Sequence, residues 1–249
     1  MSPTPEAAAR PSDASELLSI IVPVYNEART VRAVLDRLVS IDLPLAREIL
    51  VVDDGSTDGT ADALSAAVRD GLAVTVIRAE RNGGKGSALR LGLARARGTI
   101  VAIQDADLEL DPVQLGALVQ PIVSGATCVV YGSRFLNRAP SGPWLSVAAN
   151  RLLTGVTNVL YGASLTDMET CYKIMRTEVA RSLQLEANRF DIEPQITARL
   201  LRAGHRVTEL PVRFEARTRR QGKKIGWRDG VKALNVLVAE RFRRLDNIY

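Results

Sequence analysis

Ile100-Val101-Ala102-Ile103-Gln104-Asp105-Ala106-Asp107-Leu108-Glu109 is an apolar, strand-like run that ends in two carboxylates one residue apart. A strand ending at Gln104 sets those carboxylates at its carboxyl edge, where open α/β sheets bind their ligands. On an extended backbone Asp105 and Asp107 project to the same side. Two oxygen ligands so placed suit a hard cation that also holds a substrate's phosphates. Asp-X-Asp is a short pattern that equally describes a polar loop, so the neighbouring segments have to decide.

Upstream, Leu18 to Val24 is a short Ile- and Val-rich run closed by Pro23-Val24-Tyr25-Asn26-Glu27, which reads as a buried strand ending in a loop. Ala28 to Val39 has the apolar spacing of a helix. Glu48 to Val52 is a second strand, and the Asp53 to Thr60 turn can cap a helix from Ala61 to Val68. Leu72 to Ile77 is a third strand, Asn82-Gly83-Gly84-Lys85-Gly86-Ser87 opens a helix through Arg97, and Thr99 to Ile103 is the fourth strand. This alternation is what a doubly wound, mostly parallel sheet requires. Downstream, Pro112 to Val123 reads as a helix and Thr127 to Tyr131 as a strand. Asn137 to Gly142 reads as a loop, Trp144 to Leu160 as a helix, and Asp167 to Lys173 as an irregular polar stretch. Phe190 to Ala203 reads as a helix and Arg206 to Phe214 as a strand interrupted by Pro211. A basic loop, Glu215 to Gly226, then leads to a final helix from Trp227 to about Arg244.

The 249 residues suit one large α/β domain with a small appendage. We divide them into a disordered leader (1–16), a main domain (17–226) and a carboxyl-terminal amphipathic helix (227–249). Lys and Arg number 33 against 28 Asp and Glu, a net charge of +5. From Pro211 to Tyr249 there are eleven basic and four acidic residues, so that end alone carries +7. Such a tail points to anionic partners: nucleotide diphosphates, a lipid phosphate or a membrane surface. Nucleic acid is not indicated, because aromatic residues are few and no reading motif accompanies the charge. Cys128 and Cys171 lack metal-ligand spacing, as expected of thiols in a reducing cytoplasm. The single histidine, His205, reads as a turn residue, which leaves little support for a His-based triad. The leader has no apolar core of a signal peptide, and the uncharged stretch from Pro112 to Ser133 is too interrupted to span a bilayer.

The Gly-rich segment lacks Walker spacing, which argues against a kinase or ATPase. The segment with Lys85 is either a helix amino terminus that touches an anion or a base or a plain tight turn. Asp53 and Asp54 end a strand on the same sheet edge as Asp105, and Glu27 ends another. Carboxylates there are placed to accept hydrogen bonds from a nucleobase or ribose.

Ile20-Ile21-Val22-Pro23-Val24-Tyr25-Asn26-Glu27, Val51-Val52-Asp53-Asp54-Gly55-Ser56-Thr57-Asp58, Asn82-Gly83-Gly84-Lys85-Gly86 and Asp105-Ala106-Asp107-Leu108, in this order, resemble family 2 inverting glycosyltransferases of the GT-A fold. Gly132-Ser133-Arg134, Arg151 and Asp167-Met168-Glu169-Thr170-Cys171-Tyr172-Lys173 are similar to the polyprenyl-phosphate branch, the dolichol-phosphate mannose synthase-like enzymes. The resemblance runs from about Ser19 to Lys232. It implies a Rossmann-like, mostly parallel sheet flanked by helices. It also implies that Pro23, Tyr25, Glu27, Val52 and Asp54 hold the nucleotide, with Lys85 and Ala106 beside the nucleotide-sugar. Asp105 and Asp107 would bind Mg²⁺ or Mn²⁺ and the sugar diphosphate, and Glu109 would be a further metal ligand. Arg134 and Arg151 would meet the acceptor phosphate. Arg217, Arg220, Lys223 and Lys224 resemble a segment that closes over the diphosphate, although Gln221-Gly222-Lys223-Lys224-Ile225 departs from the mannose synthases' Arg-Gly-X-Ser-Lys.

The implied activity is transfer of a hexose from a GDP- or UDP-linked sugar to a polyprenyl or dolichyl phosphate, at the cytoplasmic face of the membrane and with a membrane-protein partner as an option. An ionised phosphate needs no general base, so arginines can stand in for a catalytic carboxylate. A sugar hydroxyl acceptor would need one, and Asp167, Glu169, Asp191 and Glu193 are candidates. A nucleotidyltransferase would want a Gly-rich loop where Pro-Val-Tyr-Asn-Glu stands. A silent binding module would have no use for both aspartates. In the last helix Trp227, Val231, Leu234, Val238 and Leu245 share a stripe that Leu237 and Phe242 widen, with Arg228, Lys232, Arg241, Arg243 and Arg244 around it. That pattern fits either docking on the domain or lying at a membrane surface.

Overall fold

In a computed structural model, which describes residues 16–136, 144–216 and 227–243, the chain forms a seven-stranded sheet flanked by helices. The side chains of 227–229 lie outside this description, as do 217–226, and with them Arg217, Arg220, Lys223 and Lys224. The leader 1–15 and the expected loop 137–142 lie outside it too.

The first strand, β1 (Leu17–Val24), is buried on both faces, with Leu18, Ile20 and Val22 fully inaccessible. An unbroken apolar run of this kind belongs at the centre of a parallel sheet. It pairs in parallel with β2 (Ala46–Asp53) on one side and β4 (Ile100–Ile103) on the other. β3 (Thr75–Arg78) extends β2. Helices α1 (Val31–Ser40), α2 (Thr60–Arg69) and α3 (Lys85–Arg95) make the crossovers. Because the chain leaves β1 toward opposite sides, its carboxyl end is a topological switch point, where open sheets leave a crevice.

Beyond β4 come a 3₁₀ turn (Pro112–Gln114) running into α4 (Leu115–Val123), then β5 (Val129–Ser133) and α5 (Trp144–Tyr161). β6 (Lys173–Arg176), α6 (Thr177–Ser182), α7 (Ile192–Arg202), β7 (Thr208–Pro211) and α8 (Trp227–Phe242) complete the described chain. The strand order is β3-β2-β1-β4-β6-β5-β7, and among the described residues β6 alone runs against the rest. The carboxyl ends of β1, β2, β4, β5 and β7 and the start of β6 therefore share one edge.

Several sequence expectations need correcting. The stretch Asp167 to Lys173 is polar in composition but mostly buried, and its last residue begins β6, which the apolar pattern did not reveal. Lys173 is fully inaccessible because its ammonium is satisfied internally. It donates to the carbonyl of Met168 at 3.0 Å, to that of Thr170, and to Glu193 Oε2 at 2.6 Å. The third strand starts at Thr75, not Leu72, because Leu72 is spent closing α2. Gly71, at φ +86°, donates to the Val68 carbonyl and Leu72 to that of Ala67, a Schellman turn that needs the left-handed residue. His205 sits in a similar turn after α7, donating its N–H to the Leu200 carbonyl. α1 starts at Val31, because Ala28 to Thr30 form a turn whose Ala28 N–H donates to Asp58.

A smaller core joins Leu153 of α5, Met168, Ala198 of α7, and Ala233 and Leu237 of α8. α8 thus packs on α5 and α7, with Leu237 on the inner face rather than widening an outer stripe. Inside this seam Arg199 Nη2 lies 2.8 Å from Glu240 Oε1, and Gln195 donates to the same oxygen. Outward, α8 leaves Val231, Leu234, Val238 and Phe242 exposed.

Candidate active site

The shared strand edge opens into a cleft of about 410 Å³. Of the residues expected there, Pro23, Tyr25, Glu27, Asp54, Lys85, Asp105, Ala106, Asp107, Glu109 and Arg134 line it. Val52 and Arg151 do not. Val52 is fully buried in the sheet core facing α3, and Arg151 is exposed on α5. Asn82, Cys171, Arg189, Phe190 and Phe214 line the cleft without having been expected to.

Asp54 shows how the Gly-rich segment is used. Its carboxylate accepts from Gly83 N–H (2.9 Å), Gly84 N–H (2.7 Å) and the Asn82 amide (2.9 Å), immediately ahead of α3. The anion at this helix amino terminus is therefore the chain's own. Burial raises the Asp54 pKa, against the pull of the two amides. The same segment is a clasp. Ser87 N–H donates to the Asn188 carbonyl at 3.0 Å, and Arg90 bonds the Glu186 carbonyl and the Asn188 side chain at 2.9 and 2.7 Å. A Cβ on Gly86 would overlap the Ala187 carbonyl. This contact, some hundred residues away along the chain, delivers Arg189 and Phe190 to the cleft, so no local signal could have found them.

Asp105 and Asp107 reach the cleft through a turn rather than along an extended strand, since β4 stops at Ile103 and Leu108 has φ +62°. The turn is held by Gln104, whose amide donates to the carbonyls of Asp105 (3.0 Å) and Leu110 (3.2 Å) and accepts from Tyr172 at 2.7 Å. Lys85 Nζ lies 2.8 Å from Asp105 Oδ1 and 2.8 Å from Glu193 Oε1, and Lys173 lies beyond Glu193. Carboxylates and ammoniums alternate along this buried chain. Burial pushes the Asp105 pKa up, but the Lys85 cation outweighs it and holds the pKa below the ordinary carboxylate range. Burial likewise depresses Lys85, and Asp105 more than restores it, leaving it well above its usual value.

No three carboxylate, imidazole or thiol groups among the described residues gather closely enough to hold a metal by themselves. Asp105, Asp107 and Glu109 all line the cleft. Asp107 Oδ1 accepts from Glu109 N–H at 3.2 Å, and Lys85 neutralises Asp105. Hard oxygen donors from Asp105 and Asp107 still fit Mg²⁺ or Mn²⁺ in the way such ions are often held, by one or two carboxylates with phosphate and water completing the shell.

The other wall is built around Arg134, at the end of β5. Its Nε and Nη2 each lie 2.7 Å from Asp167 and its own N–H donates to the same carboxylate at 2.9 Å. Asp167 is in turn fixed by Glu209, which accepts from the N–H groups of Thr166 (2.7 Å) and Asp167 (2.9 Å). The guanidinium stacks over Phe214 at 5.1 Å and Phe135 at 5.7 Å, and Arg151 reaches Phe135 at 6.0 Å. The two arginines thus contact one ring. Beside them Glu169 lines the cleft with Oε1 buried and without a hydrogen-bond partner. Burial raises its pKa to about 7.

A switch-point cleft lined by an Asp-X-Asp turn and an anchored arginine, in this strand order, has the architecture of the GT-A fold. The description "Glycosyl transferase family 2" matches residues 19–183, and the chain belongs to that family. It is 30% identical over 228 residues to undecaprenyl-phosphate mannosyltransferase of Micrococcus luteus, covering 87% of this chain and 90% of that one. It is also 30% identical over 210 residues to dodecaprenyl-phosphate galacturonate synthase of Rhizobium johnstonii, covering 80% of this chain but 59% of that protein. Among solved structures, glucosyl-3-phosphoglycerate synthase of Mycobacterium tuberculosis, in complex with Mn²⁺, UDP and glucosyl-3-phosphoglycerate, superposes with a TM-score of 0.73. It shares 19% identity, with 96% of this chain and 88% of that chain covered, which speaks to the fold.

Proposed function

We propose that this glycosyltransferase moves a hexose, with inversion, from a GDP- or UDP-linked sugar to a polyprenyl or dolichyl phosphate at the cytoplasmic face of a membrane. Support comes chiefly from Arg134, a cation fixed on three sides and facing the cleft opposite the aspartates. The names of the two relatives point the same way. In this mechanism an oxygen of the acceptor phosphate forms the bond to the anomeric carbon as the bond to the donor's diphosphate breaks, and the electron pair leaves with the nucleoside diphosphate. The acceptor oxygen is already ionised near neutral pH, so Arg134 and Arg151 orient it without a base. Asp105 and Asp107, with Glu109 nearby, would hold Mg²⁺ or Mn²⁺, which supplies Lewis-acid assistance to the departing diphosphate. Pro23, Tyr25, Glu27 and Asp54 form the nucleotide end of the cleft, and the basic segment with Arg217, Arg220, Lys223 and Lys224 would add positive charge over the diphosphate.

We assign catalysis to 17–226 and membrane contact to the helices. No helix among the described residues is long and apolar enough to cross a bilayer. α5 nevertheless exposes Leu145, Leu152 and Val159 at seven-residue spacing, together with Trp144. α8, packed beside it, exposes Val231, Leu234, Val238 and Phe242. Arg151 rises from the same α5, which would bring the acceptor phosphate and its apolar tail to adjacent surfaces. An anionic bilayer fits this combination of apolar stripe and cation, and a membrane-protein partner could share it. Binding to anionic but not neutral vesicles, lost in high salt, is expected; equal binding to both, or none, would remove the membrane role.

The transfer itself is tested by incubating the protein with radiolabelled nucleotide-sugars and polyprenyl phosphate. Label entering the organic phase is expected. A sugar hydroxyl acceptor is the second reading, favoured by the cleft-lining Glu169 as a base. Label confined to a water-soluble saccharide would select it.

A further inference from the structure

The carboxylates around the acceptor wall are not equivalent. Asp167 is saturated by Arg134 and held between that guanidinium and the Glu209 clamp. Glu193 lies between two ammoniums, Lys85 and Lys173. Lys173 gives its protons to Glu193 and to two carbonyls. The two described cations that act most on Glu169 are therefore already matched: Lys173 of β6 by Glu193 of α7, and Arg134 after β5 by Asp167. The remaining charged neighbour on Glu169's own loop, Asp167, is of the same sign. Glu169 nonetheless faces the cleft with a buried oxygen that no described residue satisfies. An unsatisfied buried polar atom of this kind calls for a functional explanation.

Arg134 Nη1 is not engaged by Asp167, and Glu169 lines the same cleft with its charge acting on this guanidinium, so an anion docking on Arg134 meets the field of Glu169. An ionised Glu169 would repel a phosphate dianion, whereas a protonated one offers it an O–H donor. We propose that Glu169 is a specificity-determining residue for the acceptor, binding the phosphate dianion in its neutral form, so that acceptor binding takes up one proton from solvent. This rests on the phosphate-acceptor assignment above. The carboxyl O–H donates to a phosphate oxygen other than the attacking one, and no covalent bond to Glu169 is made. Transfer turns the dianion into a phosphodiester with a single charge, which weakens the hold on that proton and favours release of the lipid product over its precursor.

The pH dependence follows from a carboxyl that is half ionised at about 7 in the free enzyme. A phosphate monoester has its second pKa near 6, so above pH 7.5 the acceptor's charge is nearly constant while that of Glu169 still changes. With farnesyl phosphate as acceptor, wild-type acceptor KM is expected to rise close to tenfold for each pH unit between 7.5 and 8.5, while donor KM stays level. Glu169→Gln, an amide donor that never ionises, is expected to abolish this rise and to bind the acceptor better than wild type at pH 8.5. Glu169→Ala should be weak at every pH. Calorimetry of farnesyl phosphate binding at pH 8 in buffers of different ionisation enthalpy should show uptake of close to one proton by wild type and none by the Gln variant. A wild-type enzyme that uses farnesyl phosphate with a pH-independent acceptor KM would overturn the role of Glu169 alone. So would a Gln variant that retains the wild-type slope. An enzyme that binds neither farnesyl nor longer polyprenyl phosphates would overturn the acceptor assignment, and this proposal with it.

Discussion

The two walls of the cleft handle buried charge in opposite ways. On the Asp-X-Asp side, Asp105, Lys85, Glu193 and Lys173 form a closed alternation in which each charge answers the next. On the Arg134 side the count is uneven, since one cation is matched by Asp167 and a further carboxyl, Glu169, is left over. A closed chain is rigid and costly to edit, because removing one member leaves its buried neighbours with one counter-charge fewer. An open one has a vacancy in its bonding that a ligand can fill. The first wall is thereby suited to holding geometry and the second to sensing what enters.

Glu193→Ala probes the closed chain most severely. It strips Lys85 and Lys173 of their shared partner, and a loss of about 3–5 kcal/mol is expected for breaking a buried pair. Denaturant unfolding measures it, and a change below about 1 kcal/mol would mean that water screens these ions after all. Asp107→Asn should leave stability nearly unchanged, since Asp107 stands outside the chain, yet lower transfer by roughly 10²- to 10³-fold. EDTA should abolish turnover as well. Near-normal turnover of this variant with Mg²⁺ would refute the assigned role of the aspartates. On the other wall Arg134→Ala should raise acceptor KM by about 10- to 100-fold, as expected for losing a hydrogen bond to a charged group. Arg151→Ala, solvent-exposed, should raise it only about two- to fivefold. Donor KM should hold steady in both. If neither change moves acceptor KM, a hydroxyl acceptor with Glu169 as base becomes the better account.

What could be read from the sequence follows from how each segment is stabilised. β1, β2 and β4 are held by apolar burial on two faces, so Ile20-Ile21-Val22, Ile49-Leu50-Val51-Val52 and Ile100-Val101-Ala102-Ile103 announce themselves. Glu27, Asp54, Asp105 and Asp107 were legible for the related reason that they follow the ends of those strands, whereas residues such as Tyr25 and Arg134 were expected from the family resemblance. β6 was illegible because Lys173 and Arg176 are buried by internal bonds to partners such as Glu193 and the Ile122 carbonyl. No pattern of hydropathy encodes that. The Gly-rich segment could equally have been an anion site or a tight turn. Its answer, an internal anion from Asp54 and a clasp on 186–188, depends on contacts some 30 and 100 residues away. Val52 shows the reverse error, where a residue inside a matching motif serves packing instead.

The reversed strand has one more consequence. Because β6 begins at the edge where its neighbours end, the segment 166–172 enters the cleft from a strand's start, while the donor-side loops all leave from strand ends. The two halves of the site thus meet the scaffold at opposite strand ends, and Tyr172 joins them by donating to Gln104 at 2.7 Å. Exchange of 166–170 between relatives, with Glu209 kept to clamp its backbone and Cys171 and Tyr172 kept to hold the Gln104 turn, offers a route to retarget the acceptor while the sugar-nucleotide preference stays in place.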